Sequence, residues 1–175
     1  MLGFWWMVFP VMAFRPDPST HIGSEPSRIF RFHKEQQSKH RYSARWQRFV
    51  DSDGAGWKAR FDERTGAAMR AWGPGIGLGT LTDLDSVESS IRGFFTAHPE
   101  LLGVPQNALK LGRSGYVEET DSWLVQFDEV IPGTDIGVWR AGLIVRIKQG
   151  RMVMFGVDTH PASMGMQTKP SIDEK

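Results

Sequence analysis

The sequence predicts an α+β fold: one main helix packed on an antiparallel four-stranded sheet, preceded by a β-hairpin and an irregular N-terminal segment. Three observations point there. Between Leu84 and Phe95, apolar residues recur at helical spacing. Beyond that stretch, several segments alternate apolar and polar residues with the period of a half-buried strand. Short turn-forming sequences separate those segments, which favours an antiparallel meander with one face under the helix.

Length and composition set the bounds. A chain of 175 residues has room for one domain plus irregular sequence. With 40% apolar residues, 19 Gly and 10 Pro, long turns or tails are expected. The net charge of +1 gives neither a nucleic-acid footprint nor a field for acidic ligands at whole-chain level. The absence of Cys excludes disulfides, thiolate nucleophiles and Cys-based zinc sites, and leaves the compartment open.

Residues 1–14 form an apolar, Trp-rich run interrupted by Pro10. It is too short for a membrane span and has the length of a signal-peptide core or its remnant. It lacks a preceding Lys or Arg and a following small-residue cleavage site. Residues 15–55 are basic, with Arg28, Arg31, Lys34, Lys39, Arg41, Arg45 and Arg48 among the aromatic residues Phe30, Phe32, Tyr42 and Trp46. Cations interleaved with aromatics suit a single-strand nucleic-acid groove. No ribonucleoprotein or zinc-knuckle signature accompanies them, so the segment reads as a flexible linker with room for one short helix.

The domain itself is expected over residues 56–161. Trp57 to Phe61 alternates apolar and basic residues, Asp62 to Gly66 supplies a turn, and Ala67 to Trp72 returns as a second strand. Gly73-Pro74-Gly75-Ile76-Gly77-Leu78-Gly79 is expected to break regular structure. Asp85 with Glu88 forms a capping-box-like start for the helix, whose face carries Leu84, Val87, Ile91, Phe94 and Phe95. The helix must stop near His98 because Pro99 disfavours helical geometry before it. Glu100 to Gly103 then tucks Leu101 and Leu102 beneath it. Strands follow at Leu109 to Val117, at Trp123, Val125 and Phe127, and at Trp139 to Ile147, where Trp139, Ala141, Leu143, Val145 and Ile147 are expected on one side. Gln149-Gly150 makes a tight turn into Met152 to Val157. Residues 162–175 are a tail.

No residue is assigned a catalytic, cofactor-binding or metal-ligating role, and no partner-binding residue is assigned. The five histidines, His21, His33, His40, His98 and His160, form no H-E-x-x-H pattern. His98 suits a helix C-terminus, where a cation meets the dipole, and His160 an exposed strand end. The glycines from Gly73 to Gly79 lack the Lys-Ser/Thr of a phosphate loop. Gly112-Arg113-Ser114-Gly115-Tyr116 has Tyr116 where a nucleophile elbow needs Gly. Ser114 and Ser122 have no neighbouring His, and Asp128 and Glu129 in a strand point to opposite faces.

Several of these segments, in this order, resemble the propeptide domain of fungalysin-like and thermolysin-like metalloproteases. They are Trp57 to Gly66, Trp72 to Ile76, Phe94 to Val104, Phe127-Asp128, Pro132-Gly133, Val138-Trp139 and Ile147 to Val153. The resemblance spans about Trp57 to Pro161 and rests on order and spacing. Asp128 stands where Gln is usual, and Arg140-Ala141 replaces a Gly-rich pair. The resemblance implies a cystatin-like two-layer fold. It also implies a secreted or periplasmic, non-catalytic module that assists folding of a zinc metalloprotease catalytic domain, in cis or in trans, and holds it inactive. No cofactor, nucleic acid or stable membrane span is expected. A free-standing cystatin-like binding module without a protease is the alternative. Ser171 and Glu174 form a capping box at the C-terminus, which leads to the expectation that a helix follows and that the chain is a fragment.

Overall fold

The computed structural model describes residues 32–165. The apolar run at 1–14, the residues up to Arg31 and the capping box at Ser171 lie outside them.

Two short helices come first, α1 (Lys34–Arg41) and α2 (Ala44–Ser52). They occupy sequence expected to be linker. The 15–55 expectation is therefore corrected for its described part, and the reason is local. Ser43 caps α2 by accepting from the Trp46 N–H. The spacing of Trp46 and Phe49 then sets both rings on one face, and both are buried. Seven cations in the surrounding sequence obscure so short an apolar stripe. Tyr42, by contrast, is 73% exposed.

The hairpin follows as β1 (Lys58–Arg60) and β2 (Arg70–Gly77). β2 runs through the glycine-rich stretch expected to be irregular, with a bulge between Trp72 and Ile76. The strand over Arg151–Asp158 supplies its partner, and the Arg151 guanidinium donates to the Gly75 carbonyl at 2.5 Å. The Trp57 ring occupies the space beside Gly73, where a Cβ would lie 2.4 Å from it.

The main helix is α3 (Leu84–Ala97), ending at His98 as expected. Its cap is Asp83, not Asp85: Asp83 accepts from the Ser86 N–H at 2.8 Å, and Ser86 Oγ accepts from the Asp83 N–H at 3.1 Å. A Ser at the third position closes the box as a Glu would. Glu88 pairs instead with Arg92 at 2.7 Å, one turn on. Pro99–Leu101 forms a 3₁₀ turn that buries Leu101 and Leu102.

The meander is β3 (Leu109–Val117), β4 (Ser122–Val130), β5 (Gly137–Lys148) and β6 (Arg151–Asp158). Left-handed φ values at Gln149 and Gly150 close the last hairpin tightly. The hairpin does not stand apart from the meander. β2 pairs with β6, making one antiparallel sheet of six strands in the order β1-β2-β6-β5-β4-β3. The fold is thus α+β as expected, with six strands where four were expected and three α-helices among the described residues where one main helix was expected.

Register shows how the two faces differ. Ala59, Ala71, Phe155, Val145, Val125 and Ser114 lie in one cross-strand row. All but Ser114 belong to the core with Val87, Ile91 and Phe95 of α3 and Trp46 and Phe49 of α2. The next row, Lys58, Trp72, Met154, Arg146, Leu124 and Gly115, lies on the opposite face. Trp72, Leu124 and Ile144 are exposed there. The sheet therefore carries the helical layer on one face and leaves the other open among the described residues.

Candidate binding surface

The open face is shaped by one irregularity. Register slips between Asp128 and Val130 of β4, so that Val138 to Ala141 bulge from β5. Arg140 adopts a φ of 56° within the bulge. The expected alternation fails here: Trp139, expected on the same side as Ala141 and Leu143, is 79% exposed, while those two are buried. Below the bulge a shallow concavity is lined by Trp139, Gly142, Ile144, Gln126, Asp128 and Asp158. Gly142 forms part of its floor because its backbone lies against β4, and a Cβ there would sit 2.0 Å from the Phe127 carbonyl oxygen. Asp128 and Asp158 flank Gly142 on the two neighbouring strands. Gln126 donates to Asp128 at 2.7 Å.

The second feature is the edge. β3 is the last strand of the sheet and pairs only with β4 among the described residues. Arg92 covers its start, donating to the Leu109 carbonyl at 3.0 Å while its guanidinium rests 5.0 Å from the centre of the Phe127 ring. Beyond Leu109, the edge runs to exposed Tyr116 and Val117. It is interrupted by a bulge between Leu111 and Ser114, a device that weakens indiscriminate edge pairing. Tyr116 stacks on Trp123 at 4.9 Å and donates to Asp121, which raises the phenol pKa. Lys110 pairs with Asp135, and that bond and charge hold the Asp135 carboxyl below its usual range.

The residues weighed from the sequence fall in separate places. His33 meets the Glu63 carboxylate at 2.7 Å, which helps lower the Glu63 pKa, and His40 lies 3.2 Å from the Glu63 carbonyl. Both thus dock α1 on the hairpin turn. His98 stands at the C-terminus of α3 as expected and is also buried, 2.7 Å from Asp53 at the end of α2. Its ring packs 5.5 Å from Phe49 and 4.8 Å from Phe94. His160, expected exposed, is half-buried, and its Nδ1 is buried without a partner. Asp128 and Glu129 do point to opposite faces, and Glu129 is fully buried. It accepts from the His160 N–H at 2.8 Å and the Ser163 hydroxyl at 2.5 Å. The expected tail therefore begins with a 3₁₀ turn, Pro161–Gly165, held to β4 through that carboxylate. Ser114 lies on β3 and Ser122 on β4, where its hydroxyl donates to the Thr120 carbonyl, and among the described residues neither bonds to a His. Sequence reasoning missed the β5 bulge and the Glu129 anchor. Gly137 and Gly142, bracketing Val-Trp-Arg-Ala, were the available signal for the bulge; Glu129 had none.

Among the described residues, no group of three or more His, Cys, Asp or Glu is placed to hold a metal ion, and no helix is long and apolar enough to cross a membrane. Comparison with protein-family models, curated proteins and solved structures finds no match to this chain.

Proposed function

We propose that this domain is a propeptide-like, non-catalytic binding module of a secreted zinc metalloprotease, assisting the folding of the catalytic domain and holding it inactive. The observation that carries the reading is the β3 edge: a strand paired on one side only among the described residues, on a sheet braced from behind by α2 and α3. Such an edge can add to a partner by main-chain pairing, with side chains reading the partner's pockets. A braced sheet loses little freedom on binding, and selective binding of the folded catalytic domain shifts its equilibrium toward the native state. The meander under α3 supports a cystatin-like arrangement, extended by the hairpin and the two N-terminal helices. The partner joins in cis or in trans. In this reading the domain needs no cofactor and engages neither nucleic acid nor membrane.

The test is refolding of a thermolysin-like catalytic domain with and without the full chain. The expected result is a higher yield of active enzyme and slower peptide hydrolysis, both reduced by Gly115→Pro on the β3 edge. No effect on yield or hydrolysis counts against the reading. A second reading, a free-standing module of the same fold, is favoured by the concavity below Trp139, because Asp128 and Arg140 depart from the propeptide pattern at that place. It predicts that Trp139→Ala, not Gly115→Pro, abolishes partner binding.

A further inference from the structure

The opposite edge of the sheet differs from β3 in what covers it. β1 is an edge strand, and part of its outer side is already occupied by a side chain acting as a strand. The Gln37 amide of α1 donates to the Phe61 carbonyl at 2.8 Å and accepts from the Phe61 N–H at 2.9 Å. The Trp57 N–H is likewise taken, by the Gly54 carbonyl at 2.8 Å. Backbone groups alternate sides along a strand, so Ala59, between those two, directs its N–H and C=O to the same outer edge. Phe61 and the Trp57 N–H are thus bonded, and among the described residues no partner beyond the sheet meets Ala59.

A groove runs beside that position. Its lining includes Phe32, Arg41, Trp57, Lys58, Arg60 and Trp72. It contains three cations and no carboxylate. Among the described residues none of Arg41, Lys58 and Arg60 belongs to an ion pair. Arg60 lies over the Phe32 ring, 5.4 Å from its centre. Trp57 adds an independent sign. The residue is 94% buried by its 6% exposure, and its indole Nε1 is a buried donor with no acceptor among the described residues. Such a donor costs free energy until something accepts from it.

We propose that this groove binds an acidic peptide segment in extended conformation, added as a short strand at Ala59. Main-chain pairing would use the Ala59 N–H and C=O. Register then assigns the side chains. Peptide residues opposite Lys58 and Arg60 share the outer face with them and are acidic. The residue opposite Ala59 points to the inner side, toward the Trp46 and Trp57 walls, and is apolar. The recognised pattern is therefore acidic-apolar-acidic. A single-stranded nucleic acid would use the cations and the aromatic rings but leave the strand edge unused. The site is independent of the β3 edge and of the concavity below Trp139.

The test is fluorescence anisotropy of the full chain with a labelled peptide of about seven residues alternating Glu and Val, enough to cover β1 and its flanks at roughly 3.3 Å per residue. The expected result is saturable binding that weakens as salt shortens the range of the charges. Arg60→Glu and Arg41→Glu, both at exposed positions, should each weaken it by about tenfold while leaving the thermal melt in place. A Gln-Val peptide should bind about tenfold more weakly, and a Glu-Val peptide N-methylated at its central residue should lose binding through the lost main-chain pair. No binding of the Glu-Val peptide, equal binding of the Gln-Val or N-methylated peptide, or tighter binding of an oligothymidine of equal charge would each overturn the proposal.

Discussion

Replacing Phe49 by Ala tests whether residues 34–52 belong to the folded unit or merely lead into it. Phe49 is 0% exposed. Its ring centre lies 5.1 Å from Trp46, 5.6 Å from Trp57, 6.1 Å from Phe94, 5.5 Å from His98 and 5.8 Å from Phe155. These neighbours come from α2, the start of the hairpin, α3 and β6, so the ring joins the helical layer to the sheet. Gly54 closes over it, since a Cβ there would lie 2.5 Å from the ring edge. Neighbours drawn from four separate elements cannot all collapse into the space a methyl leaves. The cost should therefore fall toward the top of the range for buried Phe→Ala, about 3–5 kcal/mol. At about 4 °C per kcal/mol for a folded unit of this size, the melting temperature should drop by roughly 12–20 °C. Urea unfolding at 25 °C, followed by far-ultraviolet circular dichroism, measures the free energy directly. Tyr42→Ala in the same segment is the control, and at an exposed site it should stay within about 0.5 kcal/mol. A loss below about 1 kcal/mol for Phe49→Ala would refute the reasoning and return the segment to the status of a linker.

Glu129→Ala should cost about 1–3 kcal/mol, because the part-buried His160 N–H loses its acceptor and the Ser163 hydroxyl keeps only the His160 carbonyl; a double-mutant cycle with Ser163→Ala, read by urea unfolding, should show coupling, and strict additivity would contradict the contact. Gly142→Ala should destabilise by at least about 1–3 kcal/mol, since its Cβ would sit 2.0 Å from the Phe127 carbonyl oxygen; an unchanged melt would mean that β4 and β5 are farther apart at that point. Asp83 has its pKa lowered by the hydrogen bonds from Ser86, so its stabilisation is fully present above the unfolded carboxyl value of about 4 and is lost as pH falls through the lower folded value. Melting curves between neutral and acid pH should therefore fall less steeply for Asp83→Asn than for the parent chain, and identical slopes would show that the cap does not titrate with folding.

The sequence by itself determined the elements whose signals are local. Leu109–Val117 is a strand within the bounds its alternation implies, α3 stops where Pro99 requires, and Gln149-Gly150 turns the chain because both residues adopt left-handed φ. These features rest on period, proline geometry and turn chemistry, all of which act over a few residues. The tertiary structure decided what depends on a distant partner. The Gly73 to Gly77 run reads as broken structure until β6 supplies its ladder, and two short helices among cations read as linker until the Trp46 and Phe49 rings find Phe61, Trp57 and Phe155. The same holds for the candidate sites. Trp139 looks like one more inward position of an alternating strand, and only the slip in pairing with β4 turns it outward. Arg41 and Arg60 share a groove because α1 folds back along the hairpin edge through Gln37. Alternation along one strand specifies which residues share a face, but pairing between strands specifies which faces and edges remain uncovered, and that pairing is a property of residues far apart in the chain.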